Sequence, residues 1–195
     1  MKTKINPRFI VLLLLIVVAV AMRFITELKY STMINFTPIG AIALFGGAYF
    51  SDRWKAILIP LLSLFISDLL INTFYYDGRF GIMYDGWYWV YGSFILMVFF
   101  GAWIIKQVSV KTVLLASVAA SIAHWLISDF GVFLGSCTDI TTGQLYTKDI
   151  AGLVKCYTLA LPYMKSFFLG TICYSAIMFG AFELAKRKYP VLALK

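Results

Sequence analysis

With 195 residues, 62% of them hydrophobic and 13% charged, the chain departs far from the roughly 45–50% apolar and 25% charged residues of soluble domains, which excludes a soluble globular class. Its length admits a single domain, and six membrane spans would leave short loops and no room for a soluble catalytic module. The net charge of +8 does not point to nucleic acid, because basic residues collect on the cytoplasmic side of membrane proteins for topological reasons.

Apolar runs occur at about Phe9 to Ile25, Phe36 to Phe50, Trp54 to Phe74, Trp87 to Ile105, Val113 to Leu134 and Leu161 to Leu184. Most approach the ~20 residues that a helix needs to cross a ~30 Å hydrocarbon core. They predict an all-α membrane protein, a compact six-transmembrane-helix bundle forming one domain over residues 1–195. In the first run Lys2, Lys4 and Arg8 precede an apolar stretch with Ala19-Val20-Ala21, a small-residue cleavage pattern. The run continues through Met22, Phe24 and Ile25, so it is read as a retained span. The second run is short and carries Gly40, Gly46 and Gly47, which predicts a bent or incomplete crossing.

Placing the N-terminus inside puts Lys2, Lys4, Arg8, Arg53, Lys55, Lys106, Lys111, Lys186, Arg187, Lys188 and Lys195 in cytoplasmic segments. Arg23, Lys29, Arg79, Lys148, Lys155 and Lys165 fall on the other side. The positive-inside rule therefore predicts both termini in the cytoplasm, in a bacterial inner membrane. Glu27, Asp77, Asp85, Asp139 and Asp149 fall outside, against Asp52 and Glu183 inside.

The third and fifth runs each contain Ile-Ser-Asp, as Ile66-Ser67-Asp68 and Ile127-Ser128-Asp129. The match is either a trace of a duplicated helix pair or a coincidence of common residues. A carboxylate in hydrocarbon costs about 2.5 to 3.5 kcal/mol on insertion scales, so it normally faces a protein interior or a watery cavity. Counting the ~1.5 Å helical rise from Trp54 places Asp68 about 21 Å deep. The same count from Lys111 places His124 at about 20 Å and Asp129 at about 27 Å. All three gather toward the outer face. His124 and Asp129 point about 140° apart on one helix, so that helix cannot present them as a metal clip. The acids serve either a binding site or, with Ser67 and Ser128, as caps and hydrogen-bond partners between helices. His124 is either a proton relay or a buried hydrogen-bonding residue beside Trp125.

The segment from Tyr75 to Trp89 is dense in aromatics. It reads as an interfacial belt or as rings at the mouth of a cavity that stack on a ligand, with Asp77, Arg79 and Asp85 as orienting groups. Gly135 to Ala160 is the longest connection and is expected to form a lid. It holds Cys137 and Cys156, which read as a disulfide closing the loop, as metal-binding thiols, or as two unengaged cysteines. Cys173 reads as a small buried residue. Small residues at Ala43, Gly47, Ala116, Ala120, Ala123 and Gly170 serve helix packing or a partner face. No metalloprotease, nucleophile-elbow or phosphate-loop motif occurs, and no cofactor is expected.

The stretch Asn35-Phe36-Thr37-Pro38-Ile39-Gly40-Ala41-Ile42-Ala43-Leu44-Phe45-Gly46-Gly47-Ala48-Tyr49-Phe50, followed by Pro60-Leu61-Leu62-Ser63-Leu64-Phe65-Ile66-Ser67-Asp68-Leu69-Leu70, resembles the substrate-binding S components of energy-coupling factor vitamin transporters. The whole chain looks closer still to an uncharacterised family of bacterial membrane proteins, through Ser128-Asp129-Phe130-Gly131-Val132, Gly152-Leu153-Val154-Lys155-Cys156-Tyr157 and Leu161-Pro162-Tyr163. That family commonly has Asn at the position of Asp129, so the resemblance does not require a charge there. The resemblance implies capture of a vitamin from outside, in a cavity roofed by outer loops. It also implies a partner, an energy-coupling transmembrane subunit with ATPases. S components often dock that partner through Ala-x-x-x-Ala in the first helix, whereas Phe9 to Ile25 offers Ala19 and Ala21. A cobalamin-transporting kind works alone with a cysteine near its ligand, a part open to Cys137 or Cys156.

The leading expectation is a membrane transport protein that captures a small water-soluble micronutrient, of the vitamin or corrinoid class, and moves it inward. Asp68, Asn72, His124 and Asp129 would orient polar groups, Trp87 and Trp89 would stack, and Tyr146 would close the site from the lid. One rival is a proton-coupled transporter using Asp68, His124 and Asp129. Another is an assembly subunit of a membrane complex, and an intramembrane enzyme is the least favoured.

Overall fold

The computed structural model describes residues 6–29 and 35–193, without the side chains of residues 24–29. Lys2, Lys4 and Lys195, together with the side chains of Glu27 and Lys29, lie outside the described residues. Six α-helices follow one another: α1 Pro7–Lys29, α2 Ile39–Tyr49, α3 Arg53–Tyr75, α4 Trp87–Ile104, α5 Val110–Leu134 and α6 Ile150–Lys188. A 3-10 turn at Pro190–Ala193 ends the described chain. The described residues contain no strand, as an apolar chain that must satisfy its backbone internally requires. Four of the helices, α3 to α6, are long and apolar enough to cross a membrane. The protein is a helical membrane bundle.

α2 departs from the expected span. Its 11 residues reach about 16 Å, roughly half a bilayer core. Its apolarity serves burial in protein instead, because every residue from Ile39 to Tyr49 except Ala48 is buried. α1, α3, α4, α5 and α6 surround it, with α4 the most extensive neighbour. Glycine makes that approach possible. A Cβ on Gly47 would stand 1.9 Å from the Val98 carbonyl oxygen, and one on Gly101 would stand 2.3 Å from that of Leu44. The backbones of α2 and α4 therefore touch directly, as small residues allow between membrane helices. Around this contact Phe45, Tyr49, Phe179 and Phe182 form an edge-to-face aromatic cluster between α2 and α6.

α6 also departs from expectation, starting at Ile150 rather than Leu161. Asp149 caps it by accepting the Gly152 N–H at 2.7 Å. Pro162 lies inside a continuous helix, as membrane helices tolerate when neighbours restrain them. The expected lid thus shrinks to Gly135–Asp149, and Ile150 to Ala160 form the first turns of α6. Within the connection, Thr138 and Leu145 form an antiparallel bridge around a turn in which Gly143 takes φ +69°.

The end of the bundle opposite this connection gathers Arg8, Tyr49, Lys55 and Glu183. Arg8 is buried, and its guanidinium donates to the carbonyl of Tyr49 at 3.1 Å and to those of Leu192 and Ala193 at 3.4 Å. Tyr49 donates to Glu183 at 2.6 Å, and Lys186 pairs with the same carboxylate at 2.8 Å.

Candidate functional site

A cavity of about 460 Å³ occupies the end of the bundle where α1, α3 and α5 finish. All six helices contribute to its wall: Arg23 from α1, Ile39 from α2, Asp68 from α3, Phe94 from α4, His124 and Asp129 from α5, and Phe167 from α6. Its volume falls within the ~300–1,000 Å³ of small-molecule sites, and such sites likewise set a few polar groups in a mainly apolar wall.

α5 supplies the broadest wall. Ser121, His124, Trp125, Ser128, Asp129, Gly131 and Val132 all line the cavity. At 100° per residue His124 and Asp129 stand at the two edges of a face about 140° wide, with Ser121, Trp125 and Ser128 between them. Their wide angular separation is thus compatible with one shared space, though not with one shared ion. Among the described residues no three His, Cys, Asp or Glu side chains group as metal ligands. His124 Nδ1 lies 2.7 Å from Ser93 Oγ, and its ring packs on Phe167 at 4.4 Å and Phe94 at 5.2 Å between centroids. It is wedged between α4 and α6 while still meeting the cavity.

The two Ile-Ser-Asp carboxylates have different surroundings. Asp68 forms an ion pair with Arg23 at 2.7 Å, both side chains being less than one-fifth exposed, and accepts from the Tyr91 hydroxyl at 3.2 Å. Arg23 also donates to Ser67 Oγ. A charge at that depth is held by an opposite charge and hydrogen bonds. Asp129 has a long contact from Ser128 Oγ at 3.5 Å and no ion pair among the described residues.

The other expected site residues serve elsewhere. Asn72 holds the turn after α3: its amide donates to the Gly81 carbonyl at 2.6 Å and accepts the Phe80 N–H at 3.1 Å. Trp87 packs edge-on against Tyr88 and Tyr91. Trp89 fills the seam between α4 and α5, lying so close over Gly131 that a Cβ there would stand 2.3 Å from the indole. None of the three lines the cavity. The rings that do are Tyr84, Tyr88, Trp125, Tyr163, Phe94 and Phe167. Burial, and then the negative charge of Asp68, hold the Tyr84 phenol above its ordinary range, so it remains a neutral donor.

Tyr146 is buried with Phe133 and Cys156 in a small cluster under the α5–α6 connection, where burial raises its phenol. The connection is tied down by charge. Lys148 donates to the Phe133 carbonyl, and Lys155 pairs with Asp139. Asp139 also accepts from the Thr141 N–H at 2.7 Å and hydroxyl at 2.6 Å. Lys155 foremost, and then Thr141, hold the Asp139 carboxyl well below the usual carboxylate range. Cys137 is an exposed thiol on the cavity wall, and Cys156 is a buried thiol directed at the Asp129 carbonyl. Both are free thiols, so of the readings left open by the sequence the disulfide is not formed, and Cys173 is exposed rather than buried.

Arg23 is the site residue that sequence reasoning missed. It sits as many residues beyond Phe9 as Asp68 sits beyond Trp54, and both helices run the same way, so the rise per residue puts the two charges at one depth. No curated protein and no solved structure matches the chain at a significant level. A family model matches residues 3–192, and the chain belongs to that family, DUF6580, described as a family of unknown function.

Proposed function

We propose that this protein is a membrane transport protein of the bacterial inner membrane that captures a small water-soluble micronutrient in the cavity at its outer end and moves it inward. The observation that carries this reading is the cavity itself: about 460 Å³, walled by all six helices. Filling a bundle end with side chains is the cheaper way to stabilise it, because interiors are close-packed and voids cost contacts. The tied-down connection next to it has the place of a lid. The resemblance to vitamin-capturing S components favours the same face and names a coupling transmembrane subunit with ATPases as the partner.

A proton-coupled reading draws on Asp129, a carboxylate without an ion pair among the described residues. Asp68 no longer belongs in that proposal, since Arg23 holds it. Native mass spectrometry of gently purified protein, with extraction of any retained molecule, tests the leading reading. A recovered vitamin or corrinoid supports capture and names the cargo. Empty protein that copurifies with another membrane subunit and without ATPases overturns capture in favour of assembly. Uptake that collapses when the proton gradient is dissipated supports the proton-coupled alternative.

A further inference from the structure

Charge in the cavity is unbalanced. Among the described residues its wall holds one basic side chain, Arg23, against three acidic ones, Asp68, Asp85 and Asp129. Arg23 and Asp68 neutralise each other at 2.7 Å. Asp85 is exposed at the mouth. Asp129 remains, half-buried, facing the cavity from α5 without a cation among the described residues. A membrane domain does not hold such a group without cost, and it normally answers an intramembrane carboxylate with a partner.

Resting on the capture reading, we infer that the missing partner is the ligand: a small organic molecule carrying a positively charged nitrogen, seated on the Asp129 carboxylate. Aromatic rings line the same space, Tyr88, Trp125 and Tyr163 among them, and the faces of such rings attract cations. Trp125 stands about 40° from Asp129 on α5, so the two present to one sector. Behind the same wall, the Ser121 hydroxyl and the Trp125 indole N–H lack a partner among the described residues, although buried polar groups are almost always hydrogen-bonded. Asp85, at the mouth, adds negative potential that draws a cation inward.

The test follows thermal unfolding of the full chain in detergent, as wild type and D129N, against phenyltrimethylammonium and benzenesulfonate at matched ionic strength. The cationic probe should raise the wild-type midpoint in a dose-dependent way. Its apparent Kd should weaken at least about tenfold in D129N, and benzenesulfonate should leave the wild type unmoved. Equal stabilisation of D129N and wild type, a preference for benzenesulfonate, or no effect of either probe would overturn the inference. If D129N does not fold, the contrast between the two probes on wild type decides alone. Native mass spectrometry separates the two levels of failure: a retained neutral or anionic molecule removes the cationic class and keeps capture, whereas no retained molecule and no probe effect remove both.

Discussion

Asp68 and Asp129 share a tripeptide and differ in everything around it. Because Arg23 and Asp68 are mostly buried and directly paired, Asp68→Ala leaves a buried guanidinium without its counter-charge. The expected loss is on the order of 3 kcal/mol, read as a fall in the thermal midpoint of detergent-solubilised protein. The double variant Arg23→Met/Asp68→Leu removes both charges and should recover more than half of that loss; a double variant as unstable as Asp68→Ala would show that the pair is not the cause. The pair was legible in the sequence, since residues at equal depth on two parallel-running helices can meet, but only if Arg23 is taken as intramembrane rather than as an outer topological marker. Asn72 was not legible in this way. Its amide is used nine residues downstream, at Gly81, and no periodicity reports a side chain that staples its own turn. Asp139 gives a pH prediction with a fixed sign. Its carboxyl is held below the ordinary value near 3.9 by Lys155 and Thr141, so the tie is fully present above about pH 4 and weakens as pH falls further. Limited proteolysis within Gly135–Asp149 should be unchanged from pH 8 to pH 5, and Asp139→Asn should accelerate it at every pH in that range.

At the level of elements, α2 and α6 are where hydropathy and architecture part. Hydropathy measures distance from water and does not distinguish lipid from protein, so a half-length helix buried in a bundle reads as a short span. The three glycines in α2 were the available signal. Gly47→Ala drives a Cβ into the Val98 carbonyl, a backbone atom that cannot step aside, and should cost on the order of 3 kcal/mol by overpacking. Gly180→Ala in α6 meets nothing within 4 Å and should instead stabilise by roughly 0.5–1 kcal/mol, since glycine is a poor helix former. Equal midpoints for the two variants would sink the claim that the α2–α4 contact depends on absent side chains. The early start of α6 was written in Thr147-Lys148-Asp149, where Thr147 donates to Asp149 and Asp149 caps the helix. Pro162 concealed it, because in a soluble chain a proline there would end or begin a helix.

For the whole molecule, the two ends differ in chemistry. One gathers Arg8, Lys55, Lys186, Arg187 and Lys188 around the start of α1 and the end of α6; the other carries the cavity and four of the acids, Asp68, Asp85, Asp129 and Asp139. In the proposed orientation the first faces the cytoplasm, as the positive-inside rule expects. A fluorescent-protein fusion after Ala193 should therefore be bright in bacteria, and a phosphatase fusion after Lys148 active; the reverse pattern would invert the orientation and place the cavity inside. The helical class and the bundle follow from composition and spans. The cavity does not, because an empty space is a property of how walls meet and leaves no mark on any one of them.

α6 runs for 39 residues without interruption, about 58 Å, nearly twice the thickness of the hydrocarbon it crosses. Its first turns belong to the roof, its middle to the cavity wall at Tyr163 and Phe167, and its last turns to the Glu183 cluster at the far end. Pro162, which can give no N–H to the turn before it, lies where the roof portion meets the wall. The helix has the form of a lever with a fulcrum at the level of the cavity, so under the proposed capture function a tilt of the short arm would be carried to the opposite face by the rod itself.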